Sequence, residues 1–206
     1  MEDKDIQIII EELNLQESIS LKSIPNLDLY MDQVITLFED KLKHTKRYQE
    51  DKLLTKTMIN NYTKDKLLMP AVKKKYTREH IILMILLYGL KQILTISDIK
   101  TLFGILIREE KVDAAKLENV YTVYLALKKE IVRQFSEEVR SVEQEVEKQL
   151  KDEKLEGEEI EREEYSEEGI KNMLLVTMFT EKANYYKRLA EKIIDQNIIK
   201  EKENNR

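Results

Sequence analysis

The 206-residue chain contains no cysteine, no tryptophan, two prolines and four glycines. Without cysteine it can form no disulfide framework, no cysteine-ligated zinc site and no thiol nucleophile. Sandwiches, barrels and dinucleotide-binding α/β sheets need glycine and proline at many turns, and six such residues make those folds hard to build. The sequence therefore predicts an all-α protein.

Long hydrophobic runs are also missing. The longest apolar run, Ile81–Leu90, has ten residues, whereas a membrane-spanning helix needs about 20. The segment Met1–Asp5 is acidic, unlike the basic start of a secretory signal. From these two observations we expect a cytoplasmic protein.

The patterns that mark common enzymes do not occur either. There is no glycine-rich phosphate loop and no nucleophile elbow. The two histidines, His44 and His80, have no carboxylates at a repeating metal-binding spacing. The acidic segment Glu158–Glu164 lacks the spacing of a calcium loop. We expect no enzyme, no cofactor and no metal site.

Charge is abundant, and its distribution is uneven. The net charge is −5. Residues 1–40 carry −8 and residues 130–168 carry −10, whereas residues 41–78 carry +9, from twelve basic and three acidic side chains. A basic segment can bind a polyanion, because each neutralised phosphate releases counterions. Lysine is also a common way to solvate helices, so charge alone leaves both interpretations open.

Apolar residues recur at steps of three and four along most of the chain, which is the period of an amphipathic helix. Residues 6–21 show this spacing ahead of a break at Pro25, and residues 71–76 are predicted as a solvent-facing hairpin or loop. Six further helices are predicted. Four of them have a cap residue: 30–42 with Asp28, 55–68 with Thr55, 78–93 with Thr77, and a helix containing residues 99–107 with Ser97 and Asp98. The other two cover residues 112–150 and 170–199.

The predicted helix over residues 112–150 is about 58 Å long. Its apolar positions approach a heptad seam, so we expect this helix to mediate dimerisation. The seam residues are Leu117, Val120, Tyr124, Leu127, Ile131, Phe135, Val139, Val142 and Val146. The predicted organisation is an N-terminal arm over 1–24, a unit over 25–107 that contains the basic segment, a helical region over 108–199 with an acidic linker at 151–168, and a disordered tail over 200–206.

The order of a short helix, a second helix, a basic extended stretch and another helix resembles the winged helix-turn-helix of the MerR family of transcription regulators. The matching residues are Thr55 at the cap, Ile59 and Tyr62 at core positions, Leu67-Leu68 in the turn to the wing, Pro70, and Lys74-Lys75-Tyr76-Thr77 in the wing. The sequence departs from the family pattern at Asn60-Asn61, at Lys66 in place of the turn glycine, and in the long loop 43–52.

The resemblance covers about residues 25–105. It is closer still to an uncharacterised group of bacterial proteins that carries only a domain-of-unknown-function label and is regarded as MerR-like DNA binders. It implies a winged helix-turn-helix and double-stranded DNA as the partner. Regulators of this type often add a sensor for a small-molecule effector. The Met and Tyr residues of 170–199 are compatible with such a pocket, with a core or with a partner interface.

A helix capped by Thr55 would carry its polar residues on one face and its apolar residues on the opposite face. Asn can bond adenine in the major groove and Lys can reach guanine or phosphate, whereas the basic wing would contact phosphates. An ordinary solvated helix would tolerate the same residues. The predicted DNA-binding residues are Lys56, Thr57, Asn60, Asn61, Lys64, Lys73, Lys74, Lys75 and Arg78; Lys41, Lys43, Lys46, Arg47 and Lys52 could extend this surface.

These observations predict a sequence-specific DNA-binding transcription regulator that acts as a homodimer. The alternative is a non-enzymatic protein-interaction module of the same helical fold, in which the long helix and the C-terminal helix bind another protein and the basic segment serves solubility.

Overall fold

The computed structural model describes residues 6–153 and 167–199. The described chain is mostly helical, as expected, and also contains two antiparallel sheets of two strands each. The elements are α1 Ile6–Glu12, β1 Leu29–Tyr30, α2 Met31–Leu42, α3 Lys56–Lys64, β2 Lys75–Tyr76, α4 Arg78–Leu90, α5 Ile96–Phe103, β3 Ile107–Arg108, β4 Lys111–Val112, α6 Ala114–Glu153 and α7 Glu167–Ile193. Short 3-10 turns occur at Leu21–Ser23 and Lys43–Thr45, and a π-helical turn, Ile194–Ile199, follows α7.

A single apolar core surrounds α4. Seven of the thirteen residues of α4 are buried, because the middle of this helix has no polar face. Helix α2 contributes Val34, Phe38 and Leu42, spaced four residues apart. The core extends from Ile19 in the arm to Tyr121 in α6, so it is wider than the predicted unit 25–107.

The N-terminal arm is less helical than its spacing predicts. Helix α1 ends at Glu12, and Asn14 has a positive φ of 50° that turns the chain. Beyond that turn Ile19 enters the core with no exposed surface. The apolar residues after Leu13 therefore reach the core from an irregular segment and not from a continuation of α1.

Two of the predicted helix caps are wrong. Asp28 does not cap α2, because β1 lies between them and the Tyr30 backbone N–H donates instead to Oε1 of Gln33 at 2.9 Å. Helix α5 is capped by Thr95, whose Oγ1 accepts from the Asp98 backbone N–H at 3.2 Å. Ser97 therefore lies inside the first turn of α5, and Asp98 closes a capping box with Thr95.

The predicted helix that contains Ile107 ends earlier, at Phe103. The segment that follows is a hairpin in which β3 pairs with β4. Its two-residue turn, Glu109-Glu110, has φ values of 50° and 60°. Tight hairpin turns of this kind usually contain asparagine, aspartate or glycine, so the two glutamates gave no turn signal in the sequence.

Helix α6 confirms the single long helix, but its buried stripe differs from the predicted seam. Near its start the helix buries Leu117 and Tyr121, and further along it buries Val139 and Val146. Between these sites Leu127 and Ile131 remain exposed. The stripe shifts because the base of α6 packs on the core, whereas its outer part packs on α7 and α1.

Helix α7 returns along α6 and is held to it by ion pairs. Lys171 Nζ lies 3.0 Å from Glu143 and 2.6 Å from Glu147, and Lys182 Nζ lies 2.6 Å from Glu138. The predicted helix 170–199 is confirmed, with its last six residues in the π-helical turn. Of the predicted acidic linker, residues 151–153 belong to α6 and 167–168 to α7, while 154–166 lie outside the described residues, as does the predicted tail.

Within residues 6–153 and 167–199, none of the helices combines the length and the apolar character that crossing a bilayer requires.

Candidate nucleic-acid interface

Helix α3 begins as the sequence predicts. Oγ1 of Thr55 accepts a hydrogen bond from the Met58 backbone N–H at 3.1 Å. Ile59 and Tyr62 are buried and face α2 and the core. Burial also raises the pKa of the Tyr62 hydroxyl. The buried side of α3 therefore anchors the helix and leaves its other side to solvent.

The helix ends at Lys64, four residues before the predicted end, and a tight turn follows. The Leu67 backbone N–H donates to the Tyr62 carbonyl at 2.8 Å and the Lys66 N–H donates to the Thr63 carbonyl at 3.0 Å. These two bonds form a Schellman motif, which requires a left-handed residue after the cap. That residue is Lys66, with φ of 60°. Leu67 and Leu68 are then buried in the core.

The five predicted DNA-contact residues of α3 are all exposed. Their side chains occupy the face opposite Ile59 and Tyr62. Lys56 Nζ also pairs with Oδ1 of Asp32 at 2.7 Å, but both side chains are well exposed and such surface pairs contribute little energy. The exposed set is Lys56, Thr57, Asn60, Asn61 and Lys64.

The predicted basic wing is a tight turn attached to a short sheet. Val72 and Lys75 form an antiparallel bridge, and Lys73 and Lys74 make the turn between them with φ values of 51° and 65°. Both turn lysines are exposed. The chain then enters β2, which pairs with β1 in the register Leu29↔Tyr76. The wing is therefore fixed at its base and charged at its tip.

The wing and the start of α3 both lie at the start of α2. Strand β1 runs directly into α2, and Lys75 Nζ lies 5.2 Å above the ring of Tyr30. Two residues later Asp32 pairs with Lys56. The start of α2 therefore brings the N-terminal end of α3 and the wing together in one region of the surface. We call it the basic face; its residues are Lys56, Thr57, Asn60, Asn61, Lys64, Lys73, Lys74 and Lys75.

Arg78 does not belong to this surface. Its guanidinium donates to Oε1 of Glu118 at 2.5 Å, to the Ile24 carbonyl at 2.8 Å and to the Leu21 carbonyl at 2.8 Å. These bonds join α4, the arm and the base of α6. The prediction that Arg78 contacts phosphate has no support from this geometry, because protein acceptors already hold the guanidinium and only 22% of the side chain is exposed.

The basic residues of the loop after α2 are only partly available. Lys46 is bound to the carboxylate of Glu39, and its side chain is 8% exposed. Arg47 lies over the ring of Tyr48 at 5.2 Å. Lys43 and Lys52 in the loop, and Lys41 in the last turn of α2, are exposed. The loop thus contributes less free positive charge than its sequence indicates.

The sequence did not reveal the acidic residues that lie near this surface. The β3–β4 turn and the end of α3 enclose a cleft of about 560 Å³. Glu109 and Glu110 line it on one side and Thr63 and Lys66 on the other. No signal in the sequence brings these segments together, because they are more than 40 residues apart. The cleft, which Ser97 and Lys100 of α5 also line, therefore places the two carboxylates near the C-terminal end of α3.

His80 is buried and hydrogen-bonded to the backbone of neighbouring residues. Its Nδ1 accepts from the Thr77 backbone N–H at 3.1 Å, and its Nε2 lies 3.1 Å from the Met69 carbonyl. These partners fix the neutral tautomer with the proton on Nε2. Burial lowers the pKa of His80. Among the described residues, no group of three or more His, Asp or Glu side chains could hold a metal ion.

A family model described as "Domain of unknown function (DUF1836)" matches residues 19–124, just over half of the chain. The chain belongs to the DUF1836 family. The DUF1836 region begins at Ile19, includes the whole basic face and ends at Tyr124 near the base of α6. Thus the matched region coincides with the packed core, and most of the α6–α7 hairpin lies outside it. No curated protein and no solved structure matches the chain.

Proposed function

We propose that this protein is a sequence-specific transcription regulator that binds double-stranded DNA through a MerR-like winged helix-turn-helix. The observation that carries the proposal is the basic face, on which amide, hydroxyl and ammonium groups of α3 adjoin a lysine-tipped turn. The order β1, α2, α3, wing and α4 supports the same fold assignment.

In this proposal α3 enters the major groove. Asn60 and Asn61 are the base-reading residues, because an asparagine amide can both donate to and accept from an adenine edge. Lys56 and Lys64, one at each end of the helix, reach guanine or phosphate. Lys73 and Lys74 contact phosphates on the adjoining backbone and set the register without reading sequence. Arg78 has no DNA contact in this proposal.

We further propose that the regulator acts in the cytoplasm as a homodimer joined through α6. The apolar residues Val120, Val123, Leu127 and Ile131 recur at steps of 3, 4 and 4 and are exposed. A second copy of α6 would cover them in an antiparallel pair. A two-fold protein also matches two half-sites on DNA. The proposed activity needs no enzyme chemistry and no cofactor.

The test is a fluorescence-anisotropy titration of the full chain with a labelled duplex of about 30 base pairs at several salt concentrations. We expect log Kd to rise steeply with log salt, because each phosphate contact contributes a slope of about 0.9. The double variant Lys73→Gln/Lys74→Gln should lower the slope by about 2. The matched control Lys192→Gln, distant on α7, should leave it unchanged.

Sequence specificity needs a separate arm, a selection of bound fragments from random duplexes. Enrichment of one motif that is lost in Asn60→Ala supports base reading by α3. Absence of binding to any duplex at about 50 mM salt, where phosphate contacts are strongest, would overturn the proposal.

A second candidate function is a protein-interaction module. The observation that favours it is an exposed apolar surface near the start of α7, where Ile170, Met173 and Val176 are spaced three residues apart and are all exposed. This surface lies outside the DUF1836 region and is separate from the basic face. If the protein shows no DNA binding, this surface becomes the main candidate for its activity.

A further inference from the structure

A cavity of about 690 Å³ lies away from the basic face, between the arm, the loop after α2, α4 and the base of α6. We call it the arm–loop cavity. Its volume is within the range of small-molecule sites. Four separate segments form its walls, and they supply both aromatic rings and charged groups.

One wall is aromatic. Tyr121 and Tyr124 of α6 stack with their ring centroids 5.7 Å apart, and Tyr88 of α4 also lines the cavity. The Tyr121 hydroxyl already has a hydrogen-bond acceptor, because it donates to the Ile19 carbonyl at 2.5 Å. Leu53 and Ile85 continue the apolar lining. Tyr121 and Leu53 have almost no exposed surface, so a flat apolar or aromatic body would contact mainly the rings of Tyr88 and Tyr124.

Two of the lysines that line the cavity, Lys91 and Lys128, form no ion pair within 4.0 Å among the described residues, although the charge of Glu17 acts on Lys128. Among the described residues, Lys91 Nζ lies 3.7 Å from Met58 Sδ and 5.3 Å from the centre of the Tyr88 ring, and no carboxylate lies within 4.0 Å of it. Lys128 Nζ donates to the backbone carbonyl of Glu17 at 2.6 Å. Burial lowers the pKa of both ammonium groups. A bound anion would offset the cost of burying these charges.

Glu17 adds a hydrogen-bond acceptor. Its side chain lines the cavity, and its Oε2 is buried with no hydrogen-bond partner among the described residues. A buried carboxylate oxygen without a donor is costly. A ligand that carries a hydroxyl or amine N–H could supply that donor.

From these three features we infer that the arm–loop cavity binds a small organic anion, a carboxylate with an aromatic or apolar body and one hydrogen-bond donor. The carboxylate lies between Lys91 and Lys128, the body lies against the tyrosines, and the donor meets Glu17. This inference does not depend on DNA binding.

The probe for the test is 6-hydroxy-2-naphthoate, and ¹H–¹⁵N amide shifts of the full chain report where it binds. We expect saturable shifts at Ser18, Gly89 and Gln92, which line the cavity. The neutral analogue 6-hydroxy-2-naphthamide should bind about tenfold more weakly, because it cannot form charge-assisted bonds. The analogue 2-naphthoate, which has no hydroxyl donor, should also bind more weakly.

Lys91→Met is the main variant, since Lys91 has no carboxylate partner whose loss would disturb folding. It should weaken the naphthoate about tenfold and leave the naphthamide unchanged. Lys128→Met serves as a second variant, and Lys111→Met, on the β3–β4 hairpin, is the matched control. Equal affinity for the naphthoate and the naphthamide, shifts confined to α7, or full affinity in Lys91→Met would each overturn the inference.

Discussion

At the scale of single residues, the backbone within 6–153 and 167–199 is strained at six positions where residues other than glycine have positive φ: Asn14, Lys66, Lys73, Lys74, Glu109 and Glu110. For most side chains this region costs about 1 kcal/mol or more. Five of the six residues are charged, and four of them form the two hairpin turns. The scarcity of glycine therefore does not mean that tight turns are absent.

Replacing Lys66 tests that cost directly. Lys66→Gly should raise the free energy of unfolding by about 0.5–1 kcal/mol, because glycine enters the left-handed region without a Cβ clash. The measurement is equilibrium denaturation in urea. Lys66→Ala removes the same charge but retains the Cβ, so it should give no comparable gain. Equal stability of the two variants would contradict the strain explanation.

The buried imidazole of His80 predicts a pH dependence of stability. Burial lowers its pKa below the ordinary value of 6.5, so the unfolded chain takes up a proton at a pH where the folded chain does not. Stability is therefore lost as the pH falls below about 6.5. Denaturation at about pH 7 and about pH 5.5 measures this loss.

His80→Gln is the matched variant for that experiment, because glutamine at the third helical position can still accept from the Thr77 N–H but does not titrate. Its stability should fall less over the same pH interval. If the wild type and the variant lose the same stability over this pH interval, the loss comes from titratable groups other than His80.

At the scale of elements, the sequence predicts α3 well, since its cap, its buried side and its exposed side all follow from local spacing. The β3–β4 hairpin was not predictable, because two glutamates occupy its turn. The position of Arg78 next to the wing lysines in the sequence predicts a phosphate contact. In the structure, the groups that accept hydrogen bonds from its guanidinium belong to the arm and α6 instead. Contacts between segments so far apart leave no local pattern in the chain.

The bonds of Arg78 predict a structural role. Arg78→Met should lower the free energy of unfolding by about 2 kcal/mol, because the Leu21 and Ile24 carbonyls lose a charged donor. The same variant should leave the salt slope of DNA binding unchanged. Arg108→Met, in the exposed strand β3, is the control for the loss of one arginine. A lower salt slope in folded Arg78→Met would indicate that Arg78 does contact phosphate.

At the scale of the whole molecule, the exposed stripe on α6 predicts self-association. Leu127→Glu should convert a dimer to a monomer, because it places a charge in the centre of the proposed α6 pair. Sedimentation velocity measures the change, and Lys129→Glu, two residues away, is the control. A wild-type chain that sediments as a monomer at high concentration would rule out this interface.

The forty residues of α6 span about 60 Å. The helix is joined to the core near one end, where Glu118 meets Arg78 and Tyr121 meets the Ile19 carbonyl, and its outer part is paired with α7. In simple lever geometry, a tilt of about 5° at that fulcrum moves the far end by about 5 Å, close to one turn of helix. Tyr124 and Lys128, which line the arm–loop cavity, lie within two turns of the fulcrum. A small adjustment of the cavity wall is thus multiplied along the helix.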